Sequence, residues 1–485
     1  YDYANATSWF AASTFGVMSY TKTESSAPEL KTYKPVGPSV NSPWSMVFSG
    51  QKLFVVPGGR WAGEYNFPAY VMMYEKGQWN NIDGLTIKAI TNGPVRDFIN
   101  IAVDPVDNTH FFVTSYGTGL YEFKNNEFFK WHNYMNSTIE TIIPDNPLNY
   151  MRVDGAIIDK SGNLFLANMD LGAGIKVLLN DGVTWTQLSY PEVAKPNLGQ
   201  ILISNQNQNQ KWIPAYRRVP GIFIFDDGGT ITDQSDDKSV FLTSFADADN
   251  DGGFITPTNV YCLAQDKNGV IWAGTEQGPL LFYNTANAFK TGYTCSRVKI
   301  PRNDDTNLAD YLLIGERIKC IAIDGANRKW LGTEGSGVYL MSENGQVTVE
   351  HFTTANSPLL SNNIMSIAIN PVTGEVFFGT SQGIVSYQSD ASEAESTFKD
   401  VHAYPNPVRE NYNGVITITG LVEDTQLKIT DITGNLVCQT VSNGSIATWD
   451  GKDVRGNKVS TGIYLVICVN ADGTQSTITK IMVIN

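Results

Sequence analysis

The sequence predicts an all-β protein in which a seven-bladed β-propeller is followed by an immunoglobulin-like β-sandwich. The first observation is a unit of strands and tight turns, clearest at 260–283, that recurs along most of the chain. The second is the spacing of roughly 44 to 60 residues between the aromatic residues that anchor successive units, which is the length of one four-stranded blade with its loops. The third is a change near residue 400 to short strands separated by glycine turns.

Each unit is predicted to be a three-stranded antiparallel meander. Residues 260–265 alternate in the pattern of a half-buried strand, and the Asp-Lys-Asn-Gly run at 266–269 suits a hairpin turn because Asn and Gly tolerate a positive φ. Two more strands follow before residue 283. The other copies lie at 98–123, 153–179, 318–341 and 364–387, with weaker ones around Phe54 and Trp212. Trp272 and Trp330 occupy equivalent places and are expected to be buried between neighbouring blades.

A fourth strand is predicted after every full unit except the last. These strands are expected at 78–82, 128–133, 184–190, 239–245, 294–300 and 347–353. The last unit is followed by polar residues rich in Glu and Ser, whereas 30–35 form a strand with no blade of its own. We therefore expect 30–35 to complete the last blade, which would close the ring and remove exposed sheet edges.

The domain organisation follows from these elements. Residues 30–388 are predicted to form the propeller, 389–400 a linker and 401–485 the sandwich. Residues 1–29 are interpreted as remnant strands of a preceding domain or blade. Because Tyr1 is not an initiator Met and no leader pattern follows it, we expect a processed chain or a piece of a longer one.

Composition limits the class of protein. The net charge of −14 and the isoelectric point near 4.8 oppose binding to nucleic acid or to anionic membrane surfaces over most of the molecule. No apolar run reaches about 18 residues, so no transmembrane segment is predicted. The five Cys show no metal-ligand spacing, and no cofactor is expected apart from the calcium considered below.

The chain carries no recognised catalytic motif. A nucleophile elbow, a zinc-protease motif, a phosphate loop and a dinucleotide fingerprint are all missing from the sequence. No two of the four His share a motif, and His132 and His351, on predicted outer strands, are expected to be solvated or at sheet edges. We therefore predict that the protein is not an enzyme.

One acidic stretch has the spacing of a calcium loop. Asp247, Asp249 and Asp251 alternate before Gly252, as oxygen ligands do around Ca²⁺. The twelfth position of the loop is Thr258, where a full loop has a bidentate Glu. The alternative is an acidic turn between blades, without a metal.

The C-terminal strands carry several ordered motifs. Strands are predicted at 415–419, 426–431, 436–441, 446–449, 462–469 and 477–484. Together with their turns they resemble the C-terminal sorting domain of type IX secretion cargo in Bacteroidetes. The residues that carry this resemblance are Tyr404, Pro405, Asn406, Pro407, Asp431, Gly434, Trp449, Asp450, Gly451, Gly462, Tyr464 and Lys480.

The propeller units resemble the two-component regulator propeller repeat, whose hallmark is Asp-x-x-Gly-x-x-Trp-x-Gly-Thr. Residues 266–275 fit this run in full, and 324–333 have Asn327 in place of the Gly. Such a propeller with a sorting domain resembles a surface component of the type IX attachment complex that has two propellers and keeps its sorting domain. This resemblance implies a non-enzymatic adaptor, exported from the periplasm to the outer-membrane surface, that binds surface polysaccharide, lipopolysaccharide or partner subunits of the complex.

An acidic chain that binds an anionic glycan has to concentrate its Lys and Arg locally. Tyr216, Arg217 and Arg218 are the candidate ligand-binding residues, although a solvated loop is the other interpretation. Two further functions stay open. The chain could be exported cargo whose propeller binds a carbohydrate or a protein, or the sensory propeller ectodomain of a hybrid histidine kinase.

Overall fold

The computed structural model describes residues 7–12, 16–22, 29–33, 36–60, 66–169, 171–194, 196–250, 252–302, 304–306 and 308–484. Strands make up 49% of it and helices 5%, which confirms the predicted all-β class. Within the described residues there is one α-helix, Gly84–Thr91, and there are short 3-10 helices at Pro147–Asn149, Pro191–Ala194, Gln234–Asp236 and Thr285–Asn287.

Seven antiparallel sheets form the blades of a propeller, and in each the first strand is innermost. The strands of blade 1 are Ser45–Ser49, Lys52–Val56, Tyr70–Glu75 and Gln78–Asp83. Those of blade 2 are Phe98–Val103, Phe111–Ser115, Gly119–Lys124 and Glu127–His132. Those of blade 3 are Val153–Ile158, Leu164–Asn168, Ile175–Leu178 and Trp185–Leu188. The inner strand of blade 4 is split, and its strands are Asn197–Leu198, Leu202–Ile203, Gln210–Tyr216, Gly221–Asp226 and Lys238–Leu242.

Blades 5 to 7 contain the best copies of the repeat. The strands of blade 5 are Val260–Gln265, Ile271–Thr275, Gly278–Phe282 and Thr294–Arg297. Those of blade 6 are Ile318–Ile323, Lys329–Thr333, Val338–Met341 and Thr348–Phe352. Those of blade 7 are Ile364–Ile369, Glu375–Thr380 and Gly383–Gln388. The short strands Phe245–Asp247 and Phe254–Ile255 extend blade 5 at its outer edge, and Lys299–Pro301 pairs with Ala309–Tyr311.

The motif residues of the repeat hold its turn and its tryptophan together. In blade 5, the Asp266 carboxylate accepts hydrogen bonds from the backbone N–H of Asn268 (3.0 Å) and of Val270 (2.9 Å). Its other oxygen accepts from Nε1 of Trp272 (3.0 Å) and lies 3.2 Å from Nζ of Lys329 in the next blade. Gly269 has φ +82°, which an L side chain rarely adopts. The motif therefore specifies one blade and its contact with the next.

Side chains packed between the blades close the ring. A separate buried apolar cluster lies between each pair of neighbours, including blades 7 and 1. In the closing cluster Met46 and Val55 of blade 1 pack with Phe377 of blade 7, and Ser366 Oγ donates to the Pro43 carbonyl (2.7 Å). Trp272 and Trp330 are fully buried in two of these clusters, as predicted.

The predicted closing strand is wrong. Strand Glu29–Tyr33 pairs with Gly16–Thr21, which in turn pairs with Thr7–Ala12, so these strands form a separate three-stranded sheet. Lys34 and Pro35, at the end of the predicted strand, lie outside the described residues. Pairing across a short connection costs less chain entropy than pairing with a blade more than 300 residues away, and this favours the local sheet. Blade 7 has three strands among the described residues.

The C-terminal domain is a sandwich of two antiparallel sheets. One sheet contains His402–Tyr404, Ile416–Thr419 and Ala447–Trp449, and the other contains Leu436–Val441, Gln426–Asp431, Gly462–Val469 and Ser476–Val483 in that order. Their inner faces meet around Trp449, Val466 and Ile481. The predicted propeller followed by a sandwich is thus confirmed.

Candidate functional site

The axial face of the propeller where the inner strands begin holds a cluster of arginine and aromatic side chains. We call it the channel mouth, and its members are Trp44, Arg60, Tyr116, Arg152, Asp154 and Tyr216. Trp44, Arg152 and Asp154 lie just before or at the start of an inner strand. Arg60, Tyr116 and Tyr216 lie at or soon after the end of the second strand, which pairs with the inner one. Antiparallel pairing brings these two kinds of position to the same face.

A buried ion pair forms one half of the channel mouth. Nη2 of Arg60 in blade 1 donates to Oδ1 of Asp154 in blade 3 (2.6 Å), and Asp154 is fully buried. The Arg60 guanidinium carbon lies 4.9 Å from the centre of the Tyr216 ring and 5.4 Å from that of Trp44. Although burial opposes it, the Asp154 carboxylate raises the pKa of Arg60, so the guanidinium stays charged.

Arg152 forms the other half. Its guanidinium carbon lies 4.3 Å from the centre of the Tyr116 ring and 5.0 Å from that of Tyr150, and Nη1 donates to the Tyr116 carbonyl (2.7 Å). Burial raises the pKa of Tyr116 and that of Tyr216, so both remain neutral phenols beside the arginines. Planar cations stacked on aromatic rings are well suited to bind an anionic or ring-shaped ligand.

Of the three predicted ligand-binding residues, only Tyr216 belongs to the channel mouth. Tyr216 is buried inside the channel mouth, whereas Arg217 and Arg218 are exposed beside it. Sequence reasoning missed Arg60 and Arg152, which stand far apart in the chain and share no motif. Their position within the repeat could have indicated the site, because Arg60, Tyr116 and Tyr216 all lie at or soon after the end of the second strand of a blade.

The acidic stretch near residue 250 is already paired with basic side chains. Oδ2 of Asp247 accepts from Nη2 of Arg297 (2.9 Å), and Oδ1 of Asp249 accepts from Nζ of Lys299 (2.9 Å). Asp251 lies outside the described residues. In the described part of the chain no group of three His, Cys, Asp or Glu is arranged to hold a metal. The calcium site therefore stays a prediction.

The sorting-domain motif residues act mostly as turn and core residues. Asp431 accepts from the backbone N–H of Thr433 (2.8 Å) and of Asn435 (3.0 Å) around Gly434. Asn406 donates to the Lys480 carbonyl (2.8 Å), which fastens the 404–407 motif to the last strand. In the core the Trp449 and Tyr464 rings lie 5.6 Å apart. Tyr404 and Lys480 are exposed.

The expectation that His132 is solvated is wrong. His132, expected at a solvated edge, is fully buried and lies 2.8 Å through Nε2 from Oε2 of Glu122. Glu122 also binds His110 (3.1 Å) and Lys124 (3.0 Å), beside a cavity of about 450 Å³ between blades 2 and 3. Burial opposes ionisation of Glu122, but these partners together lower its pKa. His351 is half-buried and stacks on Tyr339.

The predicted linker is built into a junction between propeller and sandwich. The backbone oxygen of Ser392 accepts from the Ser445 N–H (3.1 Å), and the two hydroxyl oxygens lie 2.7 Å apart. Ser392 is fully buried against Gly325 of blade 6 and Gly444 of the sandwich, where neither glycine has room for a Cβ. We call this contact the domain junction.

Charged groups surround the domain junction. Asp390 accepts from Nη2 of Arg328 in blade 6 (2.7 Å) and from Nδ2 of Asn443 in the sandwich (3.1 Å). Nζ of Lys267 in blade 5 donates to the Gly325 carbonyl (2.6 Å) and lies 3.2 Å from Glu423 of the sandwich. The junction segment is thus bonded to both domains.

Comparison with known families defines the class of protein. Residues 402–485 match the family described as secretion system C-terminal sorting domain, and residues 255–277 match the two component regulator propeller. The C-terminal sandwich therefore matches a secretion-system sorting domain, and one repeat of the propeller matches the two component regulator propeller.

Among solved structures, the chain is similar to PorZ of Porphyromonas gingivalis, described as an essential bacterial surface component of the type-IX secretion system. The two share 30% sequence identity with a TM-score of 0.75, over 97% of this chain and 63% of the PorZ chain. This chain therefore spans less than two thirds of the PorZ structure, and it is PorZ-like over nearly its whole length. The sorting domain and this likeness indicate a cell-surface or extracellular location.

Other comparisons add little. The extracellular domain of the putative one component system BT4673 from B. thetaiotaomicron matches 98% of this chain and 62% of its own, with 13% identity and a TM-score of 0.48. No curated protein sequence matches the chain significantly. None of the helices among the described residues is long and apolar enough to span a membrane.

Proposed function

We propose that the protein is a non-enzymatic adaptor at the outer-membrane surface, in the attachment complex of the type IX secretion system. The observation that carries this proposal is the likeness to PorZ, a surface component of that system, over 97% of the chain. A propeller supplies rigid loops on two faces and an axial channel, which suits it to binding.

The channel mouth is the proposed ligand site. Arg152 stacks on aromatic rings there, and Arg217 and Arg218 stand exposed beside it in a chain whose net charge is −14. Arg60 is already paired with Asp154, so it orders the rings and adds no net charge. Locally concentrated arginines favour an anionic ligand, and the aromatic rings suit a sugar or another planar group. We propose anionic surface polysaccharide or lipopolysaccharide as the ligand, with a subunit of the attachment complex as the alternative.

The domain junction favours a retained component over exported cargo. Cargo would lose its sorting domain by cleavage of the connecting segment, but here Ser389, Ala391 and Ser392 are buried. A protease needs an exposed and flexible segment. The residues after Ser392 are more exposed, but their backbone is held by hydrogen bonds from the Glu393 N–H to the Pro371 carbonyl (2.9 Å) and from the Lys399 N–H to the Gly420 carbonyl (3.1 Å). Intact mass of the protein taken from the cell surface should therefore include residue 485. A species that ends within 389–400 would favour the cargo function.

Deletion of the gene tests the adaptor role. Other proteins with a sorting domain should then accumulate unprocessed in the periplasm, and the wild-type gene should restore their surface display. Normal display of that cargo in the deletion strain would exclude an adaptor.

Ligand binding is tested with the purified chain and lipopolysaccharide from its host. Replacing Arg217 and Arg218 by Ala should weaken binding by about tenfold, because two exposed charged contacts of about 0.7 kcal/mol each together contribute about 1.4 kcal/mol. Lys160→Ala is the matched control, since Lys160 is an exposed cation in the turn at the opposite end of a blade 3 inner strand. Equal binding by both variants would exclude Arg217 and Arg218 as ligand-binding residues.

A further inference from the structure

The two sheets of the sandwich present different surfaces to water. The four-stranded sheet turns Leu427, Val466 and Ile481 into the core. The side chains that alternate with them form its outer face, which comprises Leu436, Gln439, Val441, Gln426, Lys428, Thr430, Ile463, Leu465, Ile467, Val469, Ser476, Ile478, Lys480 and Met482. We call this surface the aliphatic face.

Aliphatic side chains dominate this face, although it meets water. Strand Gly462–Val469 contributes only aliphatic residues to it, and Ile463, Ile478 and Met482 are 49%, 61% and 47% exposed. An antiparallel sheet with one solvated face ordinarily alternates apolar with polar residues. The other sheet follows that rule, because its outer face carries His402, Tyr404, Thr417, Thr419 and Thr448.

The propeller does not cover the aliphatic face. These exposures hold with the propeller in place. The domain junction reaches the sandwich through Glu423, Asn443 and Ser445, which belong to connecting segments and not to this face. An exposed apolar patch of this kind marks a surface that binds a partner.

The charge on the face restricts the partner. Lys428 and Lys480 project from it, and none of its residues is Asp or Glu in a chain with 48 acidic residues. A second copy would bring lysines against lysines, which is unfavourable. The side chains lack the flat aromatic rings that stack on sugars. The complementary surface is therefore a protein that is apolar at its centre and acidic around it.

We propose that a protein of the secretion apparatus binds the sorting domain through the aliphatic face, with carboxylates opposite Lys428 and Lys480. This inference rests on export of the chain by the type IX system. It does not depend on the ligand of the channel mouth.

The test is delivery of the full chain to the cell surface in its native host, from which the chromosomal copy has been removed. The triple variant Val441→Thr, Ile463→Thr and Ile478→Thr keeps β-branched side chains at exposed positions of the face and removes apolar contact area. We expect its surface fraction, measured by antibody labelling of intact cells, to fall by about tenfold, as for loss of an interface centre. Lys480→Glu, a single exposed substitution, should reduce it in the same direction.

Matched controls separate binding from folding. Val347→Thr, Val349→Thr and Val372→Thr change propeller residues of similar exposure (60%, 44% and 54%) and should leave surface delivery unchanged. Each purified variant should melt within about 2 °C of the wild type, since substitution of exposed side chains changes stability little.

Two outcomes would overturn the proposal. One is wild-type surface delivery of both the triple variant and Lys480→Glu. The other is a wild-type chain that sediments as a dimer and becomes monomeric in the triple variant, which would assign the face to a second copy. Failure of the adaptor role is distinguishable, because it is measured on other cargo and not on the location of this chain.

Discussion

The contacts between blades and the contact between propeller and sandwich are built from different chemistry. Blades 6 and 7 meet through apolar side chains around Trp330, in a form repeated around the ring. The domain junction instead uses hydroxyl, carboxylate and guanidinium groups around Ser392, and it occurs once. An apolar contact depends on how much buried volume its side chains fill, whereas a polar contact depends on the geometry of each hydrogen-bonding member.

The largest effect is expected from the apolar contact. Trp330 is fully buried against Phe352, Phe378 and Tyr387, so Trp330→Ala should lower the free energy of unfolding of the propeller by about 3 to 5 kcal/mol. Denaturant unfolding followed by fluorescence measures this. Val349→Ala, exposed on the outer strand of the same blade, should cost less than about 0.5 kcal/mol. A loss below about 1 kcal/mol for Trp330→Ala would contradict its burial as the source of stability.

The polar contact should fail in a different way. Gly444 has φ +63° and lies against the Ser392 carbonyl, so Gly444→Val should push the segment out of the domain junction at a cost of about 1 to 3 kcal/mol. A protease specific for Glu should then cut after Glu393 or Glu395 and release the sandwich, while the wild type resists.

Gly434→Val is the matched control for that experiment. It also has a positive φ in a sandwich turn, but a Cβ there meets nothing within 4 Å. Rapid cleavage of the wild-type chain at 393–395 would show that the junction opens freely in solution.

This contrast explains what the sequence could predict. The blades were predictable because Asp266, Gly269 and Trp272 each have a local role in the turn or the core, and the roles recur with the repeat. The strands of the sandwich were predictable from alternation and glycine turns. The closing strand was not, because alternation at 30–35 says which residues face inward and nothing about which strand is the partner.

The sites were less predictable for the same reason. Arg60 and Asp154 meet only because blades 1 and 3 face one channel, and no local pattern records that contact. The segment 389–396 is polar and contains no strand pattern, so composition indicated a linker, although its carbonyl and hydroxyl groups are satisfied by both domains. The apolar outer face of the sandwich could be predicted from residues 462–469, because apolar residues there occupy both the inward-facing and the outward-facing positions of the strand.

A polar cluster inside one blade gives a test that depends on pH. Hydrogen bonding to Glu122, opposed by partial burial, raises the pKa of His110 above its ordinary value near 6.5. The stabilisation by His110 should be complete below about pH 6.5 and should decline as pH rises through the higher folded-state pKa. His110→Gln should therefore lower the melting temperature more at pH 6 than at pH 9. His402→Gln, exposed in the sandwich, serves as control, and a difference that grows with pH would contradict this sign.

The smallest effect concerns the acidic turn beside blade 5. Calcium sites in extracellular modules have dissociation constants of about 0.1 to 1 mM. At a calcium concentration equal to the dissociation constant, mass action stabilises the folded state by about 0.4 kcal/mol, which corresponds to about 1 °C in a domain of this size. The calcium hypothesis predicts such a rise and predicts that Asp249→Ala abolishes it. Arg297 and Lys299 already neutralise Asp247 and Asp249, and an ion would have to displace both. A melting temperature that is the same with calcium and with chelator would leave this segment as an ion-paired turn, held by Arg297 at the end of the outer strand of blade 5 and by Lys299 just after it.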